Sequence, residues 1–195
     1  MATAFRDTEK EVIIGKLRQS AWNHACAEGM RKTTVEMLAE EAGISKGAFY
    51  HFYASKELLF LDMLETWQQK AYAAAAKVLE DNKDLPAPAR ASLAFREAFR
   101  FIVAQPIGRF LAEEIPIMLR RIPEDVLDEH YHSQEEFIIN IIRQVGVVLT
   151  VPDHTAAAVV VILMLSLTNA DQVGEHYQAG IDALVDSACK QLIQE

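Results

Sequence analysis

The chain has 195 residues, 51% of them hydrophobic and 24% charged, with 8 Gly and 6 Pro. That composition excludes a disordered or collagen-like polymer and supplies enough apolar mass for a real core. The net charge of −9 argues against a nucleic-acid partner until it is resolved along the chain: residues 1–70 carry 9 Lys and Arg against 10 Asp and Glu, and the remainder 10 against 18.

The acidity therefore belongs to the C-terminal two thirds, and phosphate binding needs only a local positive face. Arg31, Lys32, Lys46 and Lys56 are placed to supply one. Two distant cysteines, Cys26 and Cys189, give no disulfide framework and fit a reducing cytoplasm, the expected compartment. Met1–Lys10 is polar and lacks the apolar core of a signal peptide, and the longest apolar run, Ala156–Leu165, is about half a membrane span.

Residues 1–7 read as frayed. From Thr8 to about Glu28 a helix is expected, with Ile14, Leu17, Ala21 and Ala25 on one face and Gly29 closing it. Thr33 and Glu36 then form an S/T-x-x-E capping box, and Val35, Leu38, Ala39 and Ala42 recur at helical spacing. Gly43 follows, where a left-handed backbone is tolerated. Ser45 is an N-cap for a second short helix, Lys46 to about Tyr53. Helix, tight glycine turn, helix is the pattern of a helix-turn-helix, expected over about 33–52, whose second helix enters the major groove. Ser45, Lys46, Gly47 and Ala48 form its leading end; Tyr50 and His51 carry polar tips suited to phosphate oxygens.

This stretch closely resembles the DNA-binding core of the tetracycline-repressor (TetR) family. The run SKGAFYHFYASKELL carries the resemblance, together with Thr33, Thr34, Val35, Leu38, Ala39, Ala42, Gly43 and Ile44 and, further back, Leu17, Ala21 and Gly29. Three positions depart from the family pattern: Ala48 stands where a threonine is frequent, Ala54 where a proline is, and Ala25 where a bulky aromatic is. The resemblance implies DNA contacts from Thr33, Thr34, Tyr50, His51 and Lys56. Lys56 also stands beside Ser55, the expected cap of the next helix, where a phosphate is favoured. It further implies that the helix from Ser55 to about Asn82 links a DNA-binding domain, residues 1–54, to a regulatory and dimerisation domain, residues 55–195.

Glu80–Ala89, with two prolines, reads as a loop. Residues 90–149 give two to four helices, interrupted at Pro106 and Pro116, with Pro123 opening the longest. Such interruptions leave space, and Trp67, Phe95, Phe99, Phe110, Met118, Tyr131 and Phe137 are the expected lining of a pocket for a small apolar or aromatic effector. Glu129, His130, His132, Glu135 and Glu136 contain one E-x-x-H pair where a di-iron helical site needs two. They read as a solvated acidic face, with metal or pH sensing by His130 and His132 left open. No catalytic residue, metal ligand or cofactor is assigned.

Ala156–Leu167 is apolar nearly all round, and Tyr177–Ile193 is amphipathic. A chain of this size has little else to cover both. A symmetric homodimer through the helices around 154–169 and 177–194 is expected, with Leu163 at the interface. The whole is an all-α protein of about nine helices: a three-helix helix-turn-helix domain followed by a larger helical domain. Its expected role is a transcriptional repressor on a palindromic operator, released by a ligand. The alternative is a helical regulator acting through a protein partner.

Overall fold

The structure, a computed structural model, describes residues 6–144 and 146–194. Residues 1–5, Val145 and Glu195 lie outside the described set, and with them most of the frayed start and the Val145 position on the helix after Pro123. Among the described residues the protein is all-α. Its helices are α1 (Asp7–Cys26), α2 (Val35–Ala42), α3 (Lys46–Phe49), α4 (Lys56–Asp81), α5 (Ala87–Val103), α6 (Ile115–Leu119), α7 (Glu124–Gln144), α8 (Asp153–Leu165), α9 (Ala170–Val173) and α10 (Tyr177–Leu192). A π-helical turn, Phe110–Glu114, precedes α6, and 3₁₀ turns flank α9. None of these helices is long and apolar enough to cross a membrane.

Two compact units emerge, and the boundary differs from the expected one at residue 54. The first runs to Gln68 and takes in Pro106–Ile122; the second comprises Gln69–Gln105 and the chain from Pro123 onward. Unit one thus contains α1 to α3, the first half of α4, the π turn and α6. Its core is made by Leu17, Leu38, Phe49, Leu59, Phe60, Ile107, Phe110 and Met118, all fully buried. Phe60 and Phe110 stack with centroids 5.7 Å apart. The late segment belongs here because its apolar side chains complete this core.

The π turn has a local cause. Pro116 has no backbone N–H and sits in the first turn of α6, so the ordinary α ladder fails there. The Ile115 N–H instead reaches the Phe110 carbonyl, five residues back. The wider turn brings Phe110, Leu111 and Glu114 all to the buried side.

In unit two, α5 and α10 pack around Phe99, Leu163, Ile181, Val185, Cys189 and Ile193, and Tyr72, Ile138 and Ala157 form a second cluster. An isolated antiparallel bridge, Leu149 to Ile193, ties the α7–α8 linker to the end of α10. The helix α8 is less enclosed than its composition suggests. Ala158, Ile162 and Leu165 are exposed along one side, while Leu163 faces inward at 9% exposure.

Candidate DNA-binding surface and candidate ligand cavity

The turn before α2 is built by two adjacent threonines with different tasks. Thr33 is buried, and its hydroxyl donates to the Gly29 carbonyl at 2.9 Å. Thr34 is the actual N-cap: its Oγ1 accepts from the Met37 N–H at 3.2 Å. The expected Thr33–Glu36 capping box therefore gives way to a simple N-cap one residue later, because the Thr33 hydroxyl is already engaged inside. At the far end, Gly43 has φ +76°; its N–H bonds to Glu40 O, and that of Ile44 to Ala39 O. This pair of bonds is a Schellman motif and stops α2 sharply.

Ser45 then caps α3, accepting from the Ala48 N–H at 3.1 Å. The helix itself is shorter than expected, Lys46–Phe49 in place of a run to about Tyr53. After Phe49 the backbone tightens: the N–H groups of both Phe52 and Tyr53 converge on the Phe49 carbonyl. Phe49 is wholly buried, and Tyr50 packs edge-on against it at 5.5 Å while remaining half exposed.

The expected DNA contacts divide on this geometry. Thr34, Ser45, Lys46, Gly47, Tyr50 and His51 are exposed and Ala48 partly so. Gly47 has an ordinary φ, and a Cβ added there meets nothing closer than the Ser45 hydroxyl at 3.9 Å. The fold does not require glycine at that position. Lys46 pairs with Glu36 across the turn, which raises the lysine pKa and lowers that of the carboxyl through their hydrogen bond. Thr33 and Lys56 do not present their side chains as expected. The Lys56 ammonium donates to the carbonyls of Met30, at 2.8 Å, and Thr33, at 2.7 Å. It clamps the α1–α2 turn from within, as the buried Thr33 does. Ser55, as expected, caps α4 by accepting from the Leu58 N–H at 3.2 Å.

A cavity of about 130 Å³ lies inside unit two. It is lined by apolar side chains from α5 (Ala91, Ala94, Phe95, Ala98), α7 (Ile138, Ile141, Ile142), α8 (Ala156, Val159, Val160, Leu163, Met164) and α10 (Val185, Ala188, Cys189), with the ring of Tyr72 on α4. Burial pushes the Cys189 thiol up to about 11, so it behaves as a small apolar group.

Of the seven expected pocket residues only Phe95 lines this cavity. Trp67, Phe110 and Met118 are buried in unit one, where Trp67 packs on Trp22 at 5.6 Å. Phe99 fills the neighbouring core cluster. Tyr131 is half exposed, and Phe137 covers Tyr72 at 5.0 Å from outside. Large rings fill space; the void is left by alanines, and Ala91, Ala94 and Ala98 repeat at helical spacing where sequence reasoning passed over them. On α7, His132 lies 3.6 Å from Glu136, both exposed. No group of three or more His, Cys, Asp or Glu suited to a metal occurs among the described residues.

Residues 20–63, which span this helix-turn-helix, match the profile of the bacterial regulatory proteins of the tetR family. Over these residues the chain belongs to the TetR family. Among curated proteins it is 27% identical over 84 residues to the nucleoid occlusion factor SlmA of Aliivibrio fischeri, which covers 43% of this chain and 41% of that protein. The chain thus spans about two fifths of the length of that relative. Whole-chain similarity appears in solved structures at low identity. NalD of Pseudomonas aeruginosa, described as the secondary repressor of the MexAB-OprM multidrug efflux pump, aligns with TM-score 0.59 and 18% identity, covering 95% of this chain and 99% of NalD. RolR in complex with resorcinol aligns with TM-score 0.54 and 17% identity, covering 97% and 99%. These likenesses show a shared fold over nearly the whole chain.

Proposed function

We propose that this TetR-family regulator is a repressor that binds a pseudo-palindromic operator as a homodimer and is released by a small, uncharged, apolar or single-ring ligand. The observation that carries the DNA reading is the exposed leading end of α3, Ser45 to Ala48, seated on the buried Phe49. Two such ends in one dimer would address successive major grooves about 34–36 Å apart. The ligand reading rests on the cavity. At about 130 Å³ it is close to the size of apolar cavities, about 150 Å³, that hold one benzene ring. The resorcinol complex of RolR supports a single-ring ligand. Release follows when such a ligand prefers a conformation with wrongly spaced α3 helices.

The dimer reading rests on exposed apolar side chains of two helices. Ala158, Ile162 and Leu165 on α8 and Gly180, Ala183 and Leu184 on α10 mix small with large apolar residues, as a self-complementary surface requires. A second reading, action through a protein partner without a ligand, is favoured by the SlmA similarity; a filled interior would suit it better than the cavity does.

The DNA claim is tested with Lys46→Ala and Tyr50→Phe against a duplex selected from a random library by the wild-type protein. Each variant is expected to bind more weakly at unchanged melting temperature, and Lys46→Ala to lower the salt slope by about 0.9. Undiminished affinity in both sinks the assignment of this surface.

A further inference from the structure

One buried charge is absorbed by none of the roles above. Glu114 ends the π turn at 3% exposure. Its carboxylate reaches the α1–α2 turn, where Oε1 accepts from Arg31 Nε at 2.9 Å and Oε2 from the Arg31 backbone N–H at 3.1 Å. The approach is so close that a Cβ on Gly29 would lie 2.8 Å from Oε1. Gly29 also has φ +88°, so glycine is needed there both for the backbone angle and for room.

A carboxylate is removed from water only where its partners hold it well, and leaving either partner uncompensated is penalised. Here the partners belong to the very turn that Lys56 clamps from its other carbonyls and that ends at Thr34, the N-cap of α2. The helix α2 in turn sets α3 through the Schellman turn. Glu114 is therefore attached to the first link of a short chain that ends at the DNA-facing surface.

Its placement in the sequence gives this attachment a second meaning. The segment Pro106–Ile122 is the stretch of chain between α5 and α7, and both of those helices line the cavity. Conversion of the π turn to ordinary α geometry would change the register of the residues that follow it, and π turns are frequent at functional positions.

We propose that Glu114 is a positioning residue for DNA binding: its buried carboxylate, presented by the π turn, fixes the Gly29–Thr33 turn and through it the start of α2. The inference rests on the DNA-binding reading above. Glu114 touches no DNA; it acts through Arg31 and the turn.

The test uses the full chain with Glu114→Gln, which keeps volume and one acceptor, and Arg31→Lys, which keeps a surface cation but loses the guanidinium donor. Affinity for the selected duplex is measured well below the melting temperature, across a salt series. Both variants are expected to bind about tenfold more weakly with the wild-type salt slope, since no phosphate contact is lost. In a Thr34→Ala background the Glu114→Gln loss is expected to shrink, because both changes act on the same helix start. Wild-type affinity in folded Glu114→Gln, or in Arg31→Lys where the first variant fails to fold, overturns the proposal and leaves the DNA reading standing. In Arg31→Gln, which also removes the charge, a salt slope lowered by about one overturns it as well, since that marks a direct phosphate contact. Failure of the wild-type protein to enrich any duplex removes the DNA reading and this inference together.

Discussion

Replacing Ile162 by glutamate separates an interface from a core. Ile162 is 65% exposed in the single chain, and Leu165 and Leu184 are 61% and 59% exposed. Full burial of such a side chain is worth about 1.5–3 kcal/mol, so covering the exposed part of Ile162 contributes about 1–2 kcal/mol per copy. A two-fold interface counts it twice, and Ile162→Glu therefore removes about 2–4 kcal/mol, or roughly 30- to 1,000-fold in the dimer dissociation constant. Desolvating two carboxylates adds to that loss. Because the side chain touches little within its own chain, the monomer should keep its helix content. Sedimentation velocity over a concentration series, with circular dichroism on the same samples, is expected to show a folded monomer for the variant and the proposed dimer for the wild type. A dimer that persists at low micromolar concentration would refute the reasoning and move the interface off this face. Leu163→Glu is the wrong probe despite its neighbouring position, since Leu163 is buried in the core beside the cavity and its loss would disrupt the unit itself.

Gly47→Ala should move stability and binding in opposite directions. Its φ is ordinary and the space is open, so alanine is expected to stabilise the fold by about 0.5 kcal/mol while a methyl on the DNA-facing side weakens duplex affinity. Equal or tighter binding would assign Gly47 no role in the approach to DNA. For the cavity, toluene near saturation should raise the melting temperature, and Ala94→Leu, which fills the void, should abolish that shift; benzoate, bearing a charge the lining cannot pair, should give none. A benzoate shift without a toluene shift would overturn the apolar assignment. The Asp186 carboxyl is held below the usual carboxylate range first by the Ser92 hydroxyl and then by Arg96. A depressed folded value stabilises above the unfolded pKa and is lost as pH falls through the folded one. The melting-temperature gap between wild type and Asp186→Asn should therefore be present at pH 7 and close below about pH 4; a gap that stays constant to pH 3 contradicts this linkage.

What the sequence determined by itself is local. Gly43 after an apolar periodic run dictates the stop of α2, Ser45 and Ser55 dictate helix starts, and Pro116 announces a broken ladder, because each acts within one turn of backbone. The helix-turn-helix and the all-α class were legible for that reason, and so was the exposed leading end of α3. Contacts between distant residues were decided only by the tertiary structure. Thr33 and Thr34 are chemically equivalent in the sequence, and only the burial of one assigns the cap to the other. Lys56 reads as a surface cation until its ammonium is found on two carbonyls 23 and 26 residues earlier. The cavity is a difference between the volume that helices enclose and the volume that side chains fill. Its walls are therefore the alanines of α5 and the branched residues of α8, and the rings that drew the expectation fill cores elsewhere. Glu114 was invisible for the same reason: a carboxylate 83 residues from its partner leaves no periodic trace, and only folding brings it to the glycine that makes room for it.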